Sequence, residues 1–103
     1  MNIIRYTFDQ RALERGLDVQ TMDLPIDSIV ISVTANNGSL EAWVLDRCES
    51  AGTTPRTFEI LREQGVLEDH WVRCFIGTAI HQTSTTPQIQ VAFHIFERTA
   101  VRE

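Results

Sequence analysis

The chain has 103 residues, of which 43% are hydrophobic and 22% charged, and this balance predicts one globular domain spanning residues 1–103. Nine basic residues against fourteen acidic ones leave a formal charge of −5, which repels a phosphate backbone and argues against direct nucleic-acid binding. No apolar run approaches the roughly 20 residues that cross a bilayer. No secretory signal is visible either, so we expect a cytoplasmic protein without membrane association.

Three elements are predicted in the first quarter of the chain. Residues 3–8 alternate between apolar and polar side chains, which is the period of a first β-strand. Asp9 is a good N-cap for about two helical turns over residues 9–15. Residues 20–24 resume an extended pattern, and Pro25 ends that strand because proline cannot donate to a ladder.

The dipeptide Asn37-Gly38 is the strongest local signal in the sequence. A two-residue type I′ turn favours Asn-Gly because both central residues take positive φ. The residues on either side of the dipeptide alternate with period 2, so the turn selects one register with a continuous apolar face. That register sets Ala35 opposite Leu40, Val33 opposite Ala42 and Ile31 opposite Val44.

Residues 71–81 and 89–98 predict a second antiparallel pair, in which both faces are largely apolar. The polar loop between them is too long to fix the register by its turn type. The pairing that we predict sets Ala79 opposite Val91, Gly77 opposite Phe93 and Phe75 opposite Ile95. A strand pair that is apolar on both sides must be covered on both sides. The second cover is residues 9–15, the long loops or another subunit, and another subunit would make the protein a homo-oligomer.

Residues 55–64 are ambiguous. Thr54-Pro55 followed by apolar residues at helical spacing slightly favours a short helix, whereas Arg56 to Ile60 also alternates as a strand. Taken together, the elements predict a mainly β protein: a small antiparallel sheet, sandwich or partly open barrel of about six to seven strands, with at most one or two short helices.

Five short motifs resemble a family of uncharacterised β-rich proteins from bacteriophages and prophages. In chain order they are Ile-Ile-Arg-Tyr, Leu-Pro before a strand, Asn-Gly followed by Ala-Trp-Val-Leu, Phe-Ile-Gly-Thr-Ala-Ile-His, and Val-Ala-Phe-His-Ile-Phe-Glu. The resemblance spans most of the chain, although residues 9–19 look inserted and the turn after Phe-Glu-Ile differs. It implies a strand over residues 55–64, a phage-accessory setting and no catalytic activity.

Trp43 and Glu41 are the first candidate binding residues. They share the mixed face of the predicted hairpin, where an aromatic side chain suits an anchor for a partner protein. The alternative, which the sequence favours, is that the second sheet simply covers Trp43.

His70, Trp71 and Arg73 form the second candidate group. An imidazole, an indole and a guanidinium near one loop are able to stack a base or clamp an anion. The alternative, again favoured, is that Trp71 lies at the rim of the core and Arg73 is a solvated charge.

His81 and His94 occupy the second strand pair. In the predicted register His94 lies opposite Ile76, roughly 17 Å along the strand from His81, which is too far for one metal ion. We therefore predict structural or hydrogen-bonding roles for both, and His81 stays among the candidate binding residues. The chain also lacks a nucleophile elbow, a P-loop, a dinucleotide glycine pattern and zinc-type cysteine spacing, so we predict no catalytic, cofactor or metal residues.

The sequence leaves three functional hypotheses. The first is a small acidic phage or prophage accessory protein that occludes a host protein without catalysis, with an anti-defence role. The second is a homo-oligomer that captures a nucleotide-like small molecule through Arg73, His70 and Trp71. The third is a structural part of the virion.

Overall fold

The computed structural model describes residues 1–36, 38–48, 51–63, 66–82 and 86–101. Within these ranges the chain forms β-strands and one short 3₁₀ helix. In chain order these are β1 (Asn2–Thr7), the 3₁₀ helix (Gln10–Leu13), β2 (Leu17–Pro25), β3 (Ser28–Asn36), β4 (Ser39–Asp46), β5 (Thr53–Arg62), β6 (Trp71–Gln82) and β7 (Gln90–Val101). Among the described residues, no helix has the length and hydrophobicity of a membrane-spanning segment.

The strands form two open antiparallel sheets. One sheet has the order β1-β4-β3 and the other has the order β2-β5-β7-β6. Side chains from both sheets join in one buried cluster among the described residues, so the inner faces pack against each other. The mainly β prediction of six to seven strands is therefore confirmed, with two open sheets and no closed barrel.

The segment that the sequence left ambiguous is a strand. β5 runs from Thr53 to Arg62 and lies inside the four-stranded sheet, between β2 and β7. Phe58 and Ile60 are fully buried. Burial of these two side chains against the other sheet outweighs the weak helical spacing. The last predicted position, residue 64, lies outside the described residues.

The segment after β1 is shorter than the two helical turns predicted from Asp9. It is a 3₁₀ helix of four residues, and Asp9 caps it by accepting a hydrogen bond from Arg11 N at 3.0 Å. Gln20 on β2 fixes the position of Asp9. Its Oε1 accepts a hydrogen bond from Asp9 N, and its Nε2 donates to the Asp9 carbonyl oxygen. The chain turns directly into β2, which leaves no length for a longer helix.

The β3–β4 hairpin confirms two of the three predicted pairs. Ala35 pairs with Leu40 and Val33 with Ala42, but Val30 rather than Ile31 pairs with Val44. A β-bulge at Ile31 absorbs one extra residue, so Ile31 is half exposed and Val30 packs against the core instead. Gly38 has a φ of 78°, as the turn chemistry requires, while Asn37 lies outside the described residues.

The predicted β6–β7 register is wrong by two residues. Ala79 pairs with Phe93 and Gly77 with Ile95, and His81 takes the place opposite Val91. A register shift at Ile76 then brings Phe75 opposite Phe96. An extra residue between Phe75 and Gly77 reverses the alternation, so Gly77 faces the core while Phe75 is 57% exposed.

Arg56, which forms an ion pair within its own sheet, links the two sheets near the start of β3. The guanidinium of Arg56 binds Glu97 through Nε and Nη2 at 2.6 and 2.7 Å, and its Nη1 donates to the backbone O and hydroxyl of Ser28. The hydrogen bond to Glu97 raises the pKa of Arg56 despite partial burial. Arg56 therefore connects β5 and β7 of one sheet to β3 of the other.

Candidate binding surfaces

The outer surfaces of the two sheets carry most of the candidate residues. Side chains alternate along a strand, so residues next to core positions point away from the core. We call the outer surface of β1-β4-β3 the three-stranded face, and it holds Ile3, Arg5, Ile29, Trp43 and Leu45. We call the outer surface of β2-β5-β7-β6 the four-stranded face, and it holds Val19, Glu59, Arg73, Phe75, Ile80, Phe96 and Arg98.

Trp43 lies on the three-stranded face, between the core residues Ala42 and Val44 in sequence. The expectation that the second sheet covers it is therefore wrong, since the second sheet packs on the opposite side. Its indole Nε1 donates to Thr34 Oγ1 at 3.1 Å, and the Arg5 guanidinium lies 6.0 Å from the ring centre. Trp43 is thus half buried and held in one orientation.

A row of three aliphatic residues runs beside Trp43. Ile3, Leu45 and Ile29 are direct cross-strand neighbours on β1, β4 and β3. Ile3 is 61% exposed and Ile29 is 43% exposed. The three-stranded face therefore combines an apolar row with one tryptophan and one arginine, side-chain types that dominate the energetics of protein interfaces.

Glu41 is buried beneath the three-stranded face and pairs with Arg5 on that face. The residue is only 6% exposed, and its Oε2 lies 3.2 Å from Arg5 Nε. The other carboxylate oxygen, Oε1, is buried without a hydrogen-bond partner. A partner cannot reach this carboxylate directly, so Glu41 acts on the face by positioning Arg5.

The second candidate group centres on Trp71. The guanidinium of Arg98 stacks on the indole at 4.3 Å, and the His70 ring meets it edge-on at 5.1 Å. Beside Trp71 lies a groove of about 300 Å³, which is also lined by Pro55, Thr57 and Val101. The structure thus brings the rings of His70 and Trp71 into contact.

Arg73 has a partner that the sequence analysis missed. Its Nε donates to Glu59 Oε2 at 2.7 Å, Nη1 donates to the Trp71 carbonyl, and Nη2 donates to the Glu68 carbonyl. Each of its three nitrogens is therefore already used within the chain. Arg73 is neither a solvated charge nor an open clamp for an anion.

Glu59 is the centre of this ion-pair cluster. It is 1% exposed. Arg98 Nε donates a hydrogen bond to Glu59 Oε1, whereas Arg73 Nε donates to Oε2. Burial raises the pKa of Glu59, but the hydrogen bonds from Arg73 and Arg98 and their positive charges outweigh it, and the pKa lies below its usual value. A glutamate inside the apolar run Phe-Glu-Ile-Leu was the signal that could have pointed to a buried ion pair.

His81 lies apart from both tryptophans. It lines a cavity of about 390 Å³ between β3 and β6, together with Asn36, Gln82 and Gln90. His94 lies on β7, and its Nδ1 shares a hydrogen bond with Thr78 Oγ1 at 2.8 Å. The candidate residues therefore fall in three separate places. Across the described ranges, no three His, Cys, Asp or Glu residues are grouped to hold a metal ion.

The comparisons with known proteins give no family for this chain. No protein-family model, no curated protein and no solved structure matches it.

Proposed function

We propose that this chain is a small acidic accessory protein of a bacteriophage or prophage that binds a host protein and occludes it, without catalysis. The observation that carries this proposal is the three-stranded face. Its row of Ile3, Leu45 and Ile29 is uncovered by the described residues and lies next to Trp43 and Arg5. Exposed apolar rows flanked by fixed aromatic and arginine side chains suit protein recognition.

The charge of the chain favours a basic partner. The formal charge of −5 steers a protein with a positive rim towards this surface and disfavours acidic ones. Arg5 is paired with Glu41, so the middle of the face adds little charge of its own. The partner that fits is a host protein with an apolar patch inside a basic rim.

The phage setting and the anti-defence role rest on the resemblance of the strand motifs. A phage accessory protein that acts by occlusion works in the host cytoplasm and needs only a surface. The buried Glu59 and its two partly buried arginines are engaged with one another and serve the fold.

The alternative function, capture of a nucleotide-like molecule, would use the groove beside Trp71. The groove volume of about 300 Å³ is at the lower end for small-molecule sites. The Arg73 nitrogens are already bonded, so an anion would have to displace Glu59 or a backbone carbonyl. We therefore favour protein binding.

Affinity capture from host lysate tests the proposal. The wild-type protein should retain a stoichiometric protein partner, and Trp43→Ala and Ile3→Asp should each lose it. Val66→Asp is the matched control, since Val66 is 86% exposed in a loop away from the face. Equal capture by all three variants would exclude the three-stranded face. Native mass spectrometry that finds a retained nucleotide, lost in Trp71→Ala, would favour the alternative.

A further inference from the structure

The four-stranded face carries an apolar surface of its own. Val19, Glu59, Phe96 and Phe75 form one cross-strand row over β2, β5, β7 and β6. Phe75 is 57% exposed, and its ring lies 5.3 Å from that of Phe96. We propose that a second copy of this chain packs against this face and forms a symmetric dimer.

The β-bulge at Ile76 creates the apolar centre of the face. Without the extra residue Phe75 would point into the core with Gly77, as the alternation of the sequence predicts. Instead the ring projects outwards, and Ile80 is 51% exposed on the same strand. These two large side chains stand on either side of Thr78, and Ile80 pairs with the small Ala92. Large and small side chains thus alternate, as interdigitating sheets require.

The charges at the centre of the face do not oppose its burial. Glu59 is paired with both Arg73 and Arg98, and all three have side chains at most 20% exposed. These charges are already paired and hydrogen-bonded, so an interface that covers them leaves none of them buried without a partner. The remaining row members, Val19, Phe96 and Phe75, gain from leaving water.

The size of the face matches what a stable dimer needs. The four strands β2, β5, β6 and β7 have 9, 10, 12 and 12 residues. At roughly 3.3 Å per residue and about 4.8 Å between strands, they give a projected area of about 680 Å². Projecting side chains add to that area, and standard interfaces bury about 800 Å² per partner. The chain exposes 6340 Å² in total, so such an interface would take roughly an eighth of its surface.

A second copy is the occupant that this face fits. In a two-fold arrangement the same patch meets itself, so the large Phe75 and Ile80 of each copy would pack against the smaller side chains on the same face of the other. Both copies carry a charge of −5, so their mutual repulsion weakens as salt screens it. A dimer held by apolar contact therefore tightens with salt, whereas a complex with a basic protein loosens.

Sedimentation equilibrium at submillimolar concentration tests the proposal. The wild type should show twice the chain mass of 11.7 kDa. Phe75→Asp should weaken association by at least about 30-fold. Ile26→Asp is the control, because Ile26 is 54% exposed in the turn between β2 and β3 and should still dimerise. A monomeric wild type, or a Phe75→Asp variant that stays dimeric, would overturn the proposal.

Two further measurements keep the test decisive if Phe75→Asp does not fold. Ile80→Asp should also yield monomers, and persistence of its dimer would count against this face. Raising the salt concentration about tenfold should lower the dissociation constant of the wild type. A dissociation constant that rises with salt would mean that opposite charges hold the copies together, contrary to the proposal.

Discussion

Gly77 on β6 lies directly against Val33 on β3, so that a Cβ at position 77 would stand 2.9 Å from Val33 Cγ2. The two strands belong to different sheets but run alongside each other. Valine is stiff about χ1, and its methyl group cannot move away without disturbing the core. Glycine at this position therefore lets the two sheets approach at one side of the structure.

Gly77→Ala should lower the free energy of unfolding by about 1 to 3 kcal/mol, because the added methyl overfills the contact with Val33. Val33→Ala alone should also destabilise the fold by leaving a cavity. In the double variant the new methyl occupies that space, so the two losses should not add. Urea denaturation of all four proteins measures the coupling. Strictly additive losses would show that the two positions do not compete for space.

Gly38→Ala should destabilise the fold by about 1 to 2 kcal/mol, since Gly38 has a φ of 78° that an L-residue adopts only with strain. Gly16→Ala is the matched control. A Cβ added at Gly16 would meet no atom within 4 Å, and the φ of Gly16 is not positive, so its substitution should leave stability unchanged or raise it slightly. Thermal unfolding followed by circular dichroism distinguishes them. Equal losses in both variants would contradict the prediction.

Glu59→Gln should lower the free energy of unfolding at neutral pH by about 3 kcal/mol, because it leaves two partly buried arginines without their counter-charge. The exposed Glu14→Gln should have little effect. Denaturant titration measures both. A loss below about 1 kcal/mol would mean that solvent replaces the carboxylate.

The same cluster predicts how stability depends on pH. The pKa of folded Glu59 lies below its usual value, so its contribution is complete above the pKa of an unfolded glutamate. As the pH falls, the unfolded state takes up the proton first, and the contribution disappears as the pH passes through the lower pKa of the folded state. The stability difference between wild type and Glu59→Gln should therefore shrink as the pH falls below the usual pKa of a glutamate and through the lower pKa of folded Glu59. A constant difference would contradict this assignment.

Glu41→Met should raise the free energy of unfolding by about 1 kcal/mol. The substitution removes a buried carboxylate oxygen that has no partner, and it gives up an ion pair to Arg5, whose side chain is 54% exposed. Glu68→Met, at an exposed position, should change stability little. A stability loss on Glu41→Met would show that the pair with Arg5 outweighs the unpartnered oxygen. Capture of the host partner by Glu41→Met tests whether the position of Arg5 matters for binding.

Local patterns in the sequence predicted the strands and the β3–β4 turn. Side-chain alternation and the Asn-Gly dipeptide act over a few residues, so a short stretch of sequence is enough to recognise them. Ala35 opposite Leu40 and Val33 opposite Ala42 follow from that turn. For β5 the local pattern was ambiguous, and only its place between β2 and β7 selects the strand.

The local sequence pattern did not predict the β-bulges. Ile31 and Ile76 are ordinary strand residues in the sequence, yet each is left out of the ladder. A bulge forms where packing of the whole sheet tolerates one extra residue, and the residue type does not mark it. This is why Ile31 and Phe75, which were predicted to share a face with core residues, are half exposed instead.

The candidate site shows the same division. The sequence placed His70, Trp71 and Arg73 together because they lie within four consecutive residues of the chain. Glu59 is 14 residues from Arg73 and 39 from Arg98, so its two ion pairs depend on how β5, β6 and β7 align. Short-range patterning by itself determined that this is an antiparallel β protein. Register between distant strands, fixed by burial of the common core, decided which side chains meet and which face outwards.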